Sequence, residues 1–182
     1  MLIAFQNYSE FRFAHHPRLT PEIEAYASDP EHSLGPWWEQ PGRGILDNHL
    51  QAIKFPTDST WDAASFRRIY FVGAHYTAPD ESSSGPISNS PIKLGPTDQH
   101  REIVLRMTLD WNRFESYLRT WSSLLRFHDA HPEDKKHPEG DIVQRFVKRL
   151  REGVQEDLRA ESKQVDIEFP LALMLARKAK DA

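Results

Sequence analysis

Apolar residues fall at two spacings along this chain. A continuous apolar run, "LIAF" at residues 2–5, followed by a polar turn, predicts a short buried strand. Residues 21–28 read as a short helix, with Thr20 as the N-cap, Pro21 in the first turn and acids after it. A second helix is expected to begin near Gly42 and to run through Ile45, Leu46, His49, Leu50 and Ile53 at helical spacing. "SFRRIYFVGAHY" alternates and is rich in β-formers, predicting a strand over about 66–73. Residues 77–99, "TAPDESSSGPISNSPIKLGPTDQ", have no periodicity and read as a long flexible loop. "EIVLRMT" returns to a strand pattern and ends at Thr108, an N-cap candidate with Asp110 in the following turn.

The strongest helical pattern comes next. Leu109, Trp111, Phe114, Leu118, Trp121, Leu124 and Leu125 build one apolar stripe, with Arg113, Glu115, Arg119 and Arg126 off it. "HPEDKKHPEG" then interrupts the pattern as a polar linker with two prolines, and a further helix is expected over about 141–152. The close, "QVDIEFPLALMLARK", alternates through Val165, Ile167, Phe169, Leu171, Leu173 and Leu175. It reads as one terminal strand in which Pro170 marks a bulge or an edge position. The elements add up to an α/β protein with few strands for its helices, organised as a single domain over 1–182 with the loop at about 77–99.

Composition narrows the function classes. With 182 residues, 38% hydrophobic and 27% charged, the chain can bury a core. A formal charge of −4 argues against nucleic-acid binding by phosphate neutralisation. Zero cysteines excludes disulfides, thiolate catalysis and zinc–thiolate sites together. No apolar run approaches the roughly 20 residues of a membrane span, so no membrane partner and a cytoplasmic location are expected. Five tryptophans favour an aromatic small-molecule pocket.

Three stretches carry a family resemblance. "PWWEQPGRGIL", "FESYLRTWSSLLRFHDAHPE" and the close "VDIEFPLALMLARK" resemble, in that order, the C-terminal half of class I S-adenosylmethionine-dependent methyltransferases, in the fungal type-11-like group related to trans-aconitate methyltransferase. "MLIAFQNY" resembles the fifth sheet strand of that group and the turn after it. The resemblance implies a truncated Rossmann-like methyltransferase fold, strands five to seven plus a helical substrate cap. It also implies a departure. In that fold the cofactor lies on the first four strands, with a glycine-rich turn after the first of them. None of the eight glycines here forms a G-x-G-x-x-G turn after a strand, so no cofactor-binding position carries over and no cofactor is expected.

By the same resemblance, Trp37, Trp38, Glu39, Gln40 and Arg43 belong to a loop over a substrate cleft. Arg43 would clamp a carboxylate or hold Glu39, while the alternative is that the tryptophans pin the loop and Arg43 caps a neighbouring element. Tyr117 and Trp121 lie in the "YLRTWS" helix, Trp121 on the apolar stripe and Tyr117 off its centre. Tyr8 and Tyr76 follow strands whose ends should point into the cleft, and are pocket-lining candidates. His75 ends a strand beside Tyr76 and is a candidate general acid or base; Glu39 is the second catalytic candidate. His128, His131 and His137 read as solvated linker histidines, and no metal site is expected.

The expected function is a methyltransferase-derived small-molecule-binding protein that works without cofactor, as an isomerase, cyclase or pericyclase on a natural-product-like substrate. The alternatives are a subunit or regulator of a split or full-length methyltransferase, and a truncated product without function. A sheet starting at strand five exposes an edge, so a homodimer, or a partner supplying the missing strands, is expected.

Overall fold

The computed structural model describes the backbone of residues 2–7 and, with side chains, residues 11–30, 33–72 and 94–179. Tyr8, His75 and Tyr76 lie outside the described residues, as does most of the 77–99 stretch. Helices and sheets are both present, as an α/β protein requires. Contacts gather into two compact units: Met1–Ser9 with Pro41–Leu105 and Phe169–Ala182, and Glu10–Gln40 with Arg106–Glu168.

The first unit is a four-stranded sheet in the order β1-β7-β3-β4, made of β1 (Leu2–Asn7), β3 (Trp61–Phe71), β4 (Asp98–Arg101) and β7 (Leu171–Lys178). β7 runs antiparallel to both β1 and β3, so β1 and β3 point the same way; β4 adds parallel to β3. Side chains alternate along β3 and β7. Arg68 stands opposite Met174 and Tyr70 opposite Ala172, and all four are buried on one face. Leu50, Tyr70, Val72 and Ala172 form that core, with Ile45, Leu46 and Leu94 packed on it. The register of β3 with β7 slips between Asp62 and Arg67, a bulge that lets β3 start earlier than the alternation alone indicated.

The helix expected through Ile53 is shorter. α2 spans Gly42–Asp47, and His49 and Leu50 then take left-handed backbones at φ 53° and 58°. Two such residues in succession end a helix, whatever the apolar spacing beyond them.

The second unit holds β2 (Arg12–Phe13), β6 (Gln164–Phe169) and β5 (Leu105–Asp110) in the order β2-β6-β5. Around them lie α1 (Thr20–Ser28), α3 (Trp111–Leu118), α4 (Ser122–Ala130) and α5 (Ile142–Leu158). Phe11, Phe13, Ile23, Leu34, Phe114, Leu118, Phe146, Leu150 and Ile167 are fully buried here. The long stripe from Leu109 to Leu125 is therefore two helices. Strand β5 extends to Asp110, and Asp110, not Thr108, caps α3 by accepting the Arg113 amide at 2.8 Å. The chain leaves the helix at Arg119 and restarts at Ser122, with Trp121 extended between them. The shift in phase turns Leu125 outward, 67% exposed, while Leu124 is buried.

The expected single terminal strand is two. β6 ends at Phe169 in the second unit's sheet, Pro170 interrupts, and β7 starts at Leu171 in the first unit's sheet. Proline has no N–H to give to a ladder, so strand pairing breaks there and can resume with other partners. α5 runs longer than expected because it is capped at both ends. Asp141 accepts from the Gln144 amide while the Gln144 side chain accepts from Asp141, and Arg159 closes the helix with a left-handed backbone. The residue before the cap, Gly140, sits at φ 87°, a conformation only glycine adopts freely. No helix among the described residues is long and apolar enough to cross a membrane.

Candidate functional site

The candidate site is the aromatic cluster of the second unit, and the loop at residues 33–38 positions half of it. Ser33 ties the loop to α1 by donating its hydroxyl to the Asp29 carbonyl at 2.6 Å and accepting the Gly35 amide at 3.1 Å. Trp38 follows and donates its indole N–H to the Ala27 carbonyl at 2.7 Å. That bond fixes the ring beside Trp121, with centroids 5.3 Å apart.

Trp121 is the hub. It stands in the extended link between α3 and α4, which frees its side chain from either helix face. Phe11 (6.3 Å), Tyr26 (6.0 Å), Trp38 and Tyr117 (6.1 Å, edge to face) surround it. Tyr26 stacks flat on Phe146, centroids 3.7 Å apart and planes 5° from parallel. Trp38, Tyr117 and Trp121 are each half-buried, so each presents part of an aromatic wall outward.

Tyr26 contributes the unusual polar atom. The residue is 4% exposed and its hydroxyl is buried without a hydrogen-bond partner among the described residues. Burial, reinforced by the Asp141 charge, pushes its phenol well above the ordinary tyrosine value, so it stays protonated. Burial raises the Tyr117 phenol too. Both are therefore neutral hydroxyls at physiological pH, able to orient a ligand by hydrogen bonding but not to act as general bases.

The sequence-predicted residues divide. The structure brings Trp38, Tyr117 and Trp121 into one cluster. Trp37 lies apart, its ring edge-on to Phe127 (6.2 Å) and His131 (5.5 Å). Glu39 is solvent-exposed, and its ion-pair partner is Arg126 at 3.4 Å rather than Arg43. Gln40 is exposed. Arg43 belongs to the first unit, where it pairs along α2 with Asp47 at 2.8 Å, 11% exposed. The two tryptophans thus pin their loop, and Trp38 also joins the aromatic wall.

Of the three linker histidines, His137 is exposed and the His131 side chain is 45% exposed, while His128 differs from expectation. His128 is buried and its Nε2 lies 3.2 Å from Asp134, which also accepts the Ile142 amide and bonds Arg145 at 2.7 Å. Burial works to raise the Asp134 carboxyl, but the Ile142 amide, Arg145 and His128 outweigh it and hold it below the usual range. This network fastens the start of α5 and is structural. Among the described residues no group of histidines and acids is arranged to hold a metal ion.

An open hollow of about 370 Å³ lies in the first unit where β3 bulges from β7, between Asp62, Ser65, Arg67 and Arg177. None of the sequence-predicted site residues lines it.

Sequence reasoning passed over two residues. Tyr26 was on a helix recognised only as short and acidic. Arg68 was readable: in "RRIYF" it shares its face with Tyr70 two residues on, and period two puts both inside. No protein-family model matches the chain.

Proposed function

We propose that this chain is a methyltransferase-derived small-molecule-binding protein whose wall of Trp38, Tyr117 and Trp121 holds a natural-product-like ligand. It acts on that ligand without S-adenosylmethionine, as an isomerase, cyclase or pericyclase that works by shaping and orienting its substrate. The observation that carries the reading is the Tyr26 hydroxyl, buried against Trp121 and lacking a hydrogen-bond partner among the described residues. A buried donor left unmade costs about 1–3 kcal/mol, so its retention in an aromatic cluster fits a ligand polar atom better than packing alone. β1, β7 and β3 are neighbours in one sheet with β7 antiparallel to both, an arrangement compatible with that origin.

Two measurements test it. In calorimetry the chain is expected to bind no S-adenosylmethionine; measurable binding by the chain alone overturns the cofactor-independent reading. Tyr26→Phe is expected to keep or raise the melting temperature and to weaken quenching of tryptophan fluorescence by 2-naphthol. Equal quenching in both proteins would sink the site.

A second reading has its own observation. β4, one edge of the four-stranded sheet, carries Asp98 and Arg101, as guarded edges do. β1, the other edge among the described residues, reads "LIAFQN" with no charge and no proline. An unguarded edge suits pairing with a second copy, or with a partner that supplies strands and restores a methyltransferase. The mass in solution separates these: a dimer supports the first, and a monomer that gains S-adenosylmethionine binding only with a partner supports the second.

A further inference from the structure

We infer that the buried face of the four-stranded sheet carries an anion site at Arg68, built for a singly charged oxyanion on an apolar body. Arg68 is 8% exposed, yet no carboxylate among the described residues forms an ion pair with it. One terminal nitrogen, Nη2, donates to the Ile53 carbonyl at 2.5 Å and touches the Met174 sulfur at 3.7 Å. The guanidinium carbon sits 5.7 Å from the centre of the Phe55 ring, which is itself stacked on Phe66 at 4.7 Å. The Nε hydrogen is buried and has no acceptor among the described residues. Asp98, opposite Arg68 in the β3–β4 register, spends its Oδ2 on the Gly95 amide at 2.9 Å.

A buried guanidinium normally keeps a counter-charge, and where it does not, an apolar side chain of similar size is as stable or more so. A second cost lies on the same face. His49 and Leu50, both buried, hold consecutive left-handed backbones, a conformation that disfavours any residue with a β-carbon. Tyr70, two residues from Arg68 on β3, donates its hydroxyl to the His49 carbonyl at 3.2 Å and so holds that turn in place. A buried cation with no counter-charge among the described residues, beside a strained turn, is the arrangement of a binding site rather than of a core.

The surroundings select the ligand. Arg68 is enclosed by the Met174 sulfur, the Phe55 ring, the Ile53 carbonyl and the Tyr70 hydroxyl. One guanidinium offsets one negative charge, and a dianion would leave a second charge without compensation in an apolar place. A carboxylate on an aromatic or aliphatic body matches the planar edge of arginine and the ring beside it. Residues 52–57, which form neither helix nor strand, cover Arg68 with the Ile53 carbonyl and the Phe55 ring; Ile53 is 43% exposed, and Lys54 is a further cation at the surface.

Benzoate is the probe, titrated into the full chain and followed by calorimetry and by the Arg68 Nε–Hε resonance. Wild type is expected to bind and to shift that resonance. Arg68→Met is expected to weaken binding by roughly tenfold to a hundredfold, with an unchanged or higher melting temperature when no benzoate is present. Tyr26→Phe is expected to bind benzoate as wild type does, which keeps this site separate from the aromatic wall. Failure of wild type to bind, equal binding by Arg68→Met, or a melting temperature lowered by several degrees in that variant would each overturn the site. Inorganic phosphate binding tighter than benzoate would overturn the ligand class.

Discussion

Arg119 at the end of α3 grips Asp141, the residue that caps α5. Its Nη1 lies 2.7 Å from Asp141 Oδ2 and its Nη2 3.2 Å from Oδ1, while the same guanidinium bonds Glu115. One planar group thus joins the break in the aromatic helix pair to the start of the longest helix. Replacing it with Arg119→Met is expected to cost about 1–3 kcal/mol in thermal or urea unfolding. Arg119→Lys should recover little of this, because an ammonium cannot address both oxygens in one plane.

Acid should loosen the same region. Burial works to raise the Asp141 carboxyl, but Arg119 and the Gln144 amide outweigh it, as Arg145 and the Ile142 amide do for Asp134. Both carboxyls are held below their unfolded value, so the unfolded chain binds more protons. Their contribution is complete above the ordinary aspartate value of about 3.9 and is lost as the pH falls below it. Melting temperature should therefore be flat near neutrality and fall below about pH 4. Asp134→Asn should lower it at pH 7 and reduce the acid-induced fall.

Gly35 has no room for a side chain. A β-carbon there would meet the Asp29 carbonyl oxygen at 2.5 Å and that of Ser28 at 2.6 Å, both backbone atoms. Gly35→Ala is expected to cost roughly 1–3 kcal/mol and to displace Trp38 from Trp121. A shift in tryptophan emission accompanying the lower melting temperature would report that displacement.

Leu125 tests the helix break directly. It is exposed, so Leu125→Glu should change stability by no more than about 0.5 kcal/mol. A loss of several kcal/mol would mean that α3 and α4 form the continuous helix their apolar spacing suggests.

What the sequence made legible is what periodicity encodes. The strand at residues 2–5, the β3 alternation and α5 were all readable, because burial on one face imposes a spacing that survives in the letters. Breaks were not. Leu118, Trp121 and Leu125 keep helical spacing across a helix that stops, since Trp121 reaches the core from an extended link. Pro170 was recognised as an interruption, but not as the point where the chain changes sheets, because pairing partners leave no local mark. His49 and Leu50 are ordinary helix residues in one dimension, and their left-handed backbones are imposed by tertiary packing. His128 looked solvated for a related reason: a polar linker can fold back, and Asp134 and Arg145 then give its ring a buried partner. Among the site residues, Trp38, Tyr117 and Trp121 were found through motifs, while Tyr26 and Arg68 matter only through a missing partner, which is a property of three dimensions.

The position of β7 sets the order of assembly during translation. β7 comes after every other strand of its sheet and lies between two of them. β3 and β4 can meet as soon as both are made, but β1 has no neighbour in the sheet among the described residues until β7 leaves the ribosome. At about 5–20 residues per second, the apolar β1 waits on the order of ten seconds for its partner. The newborn chain therefore displays the same strand that could later pair with another copy, and its safe synthesis depends on how well that strand is shielded until the central seam closes.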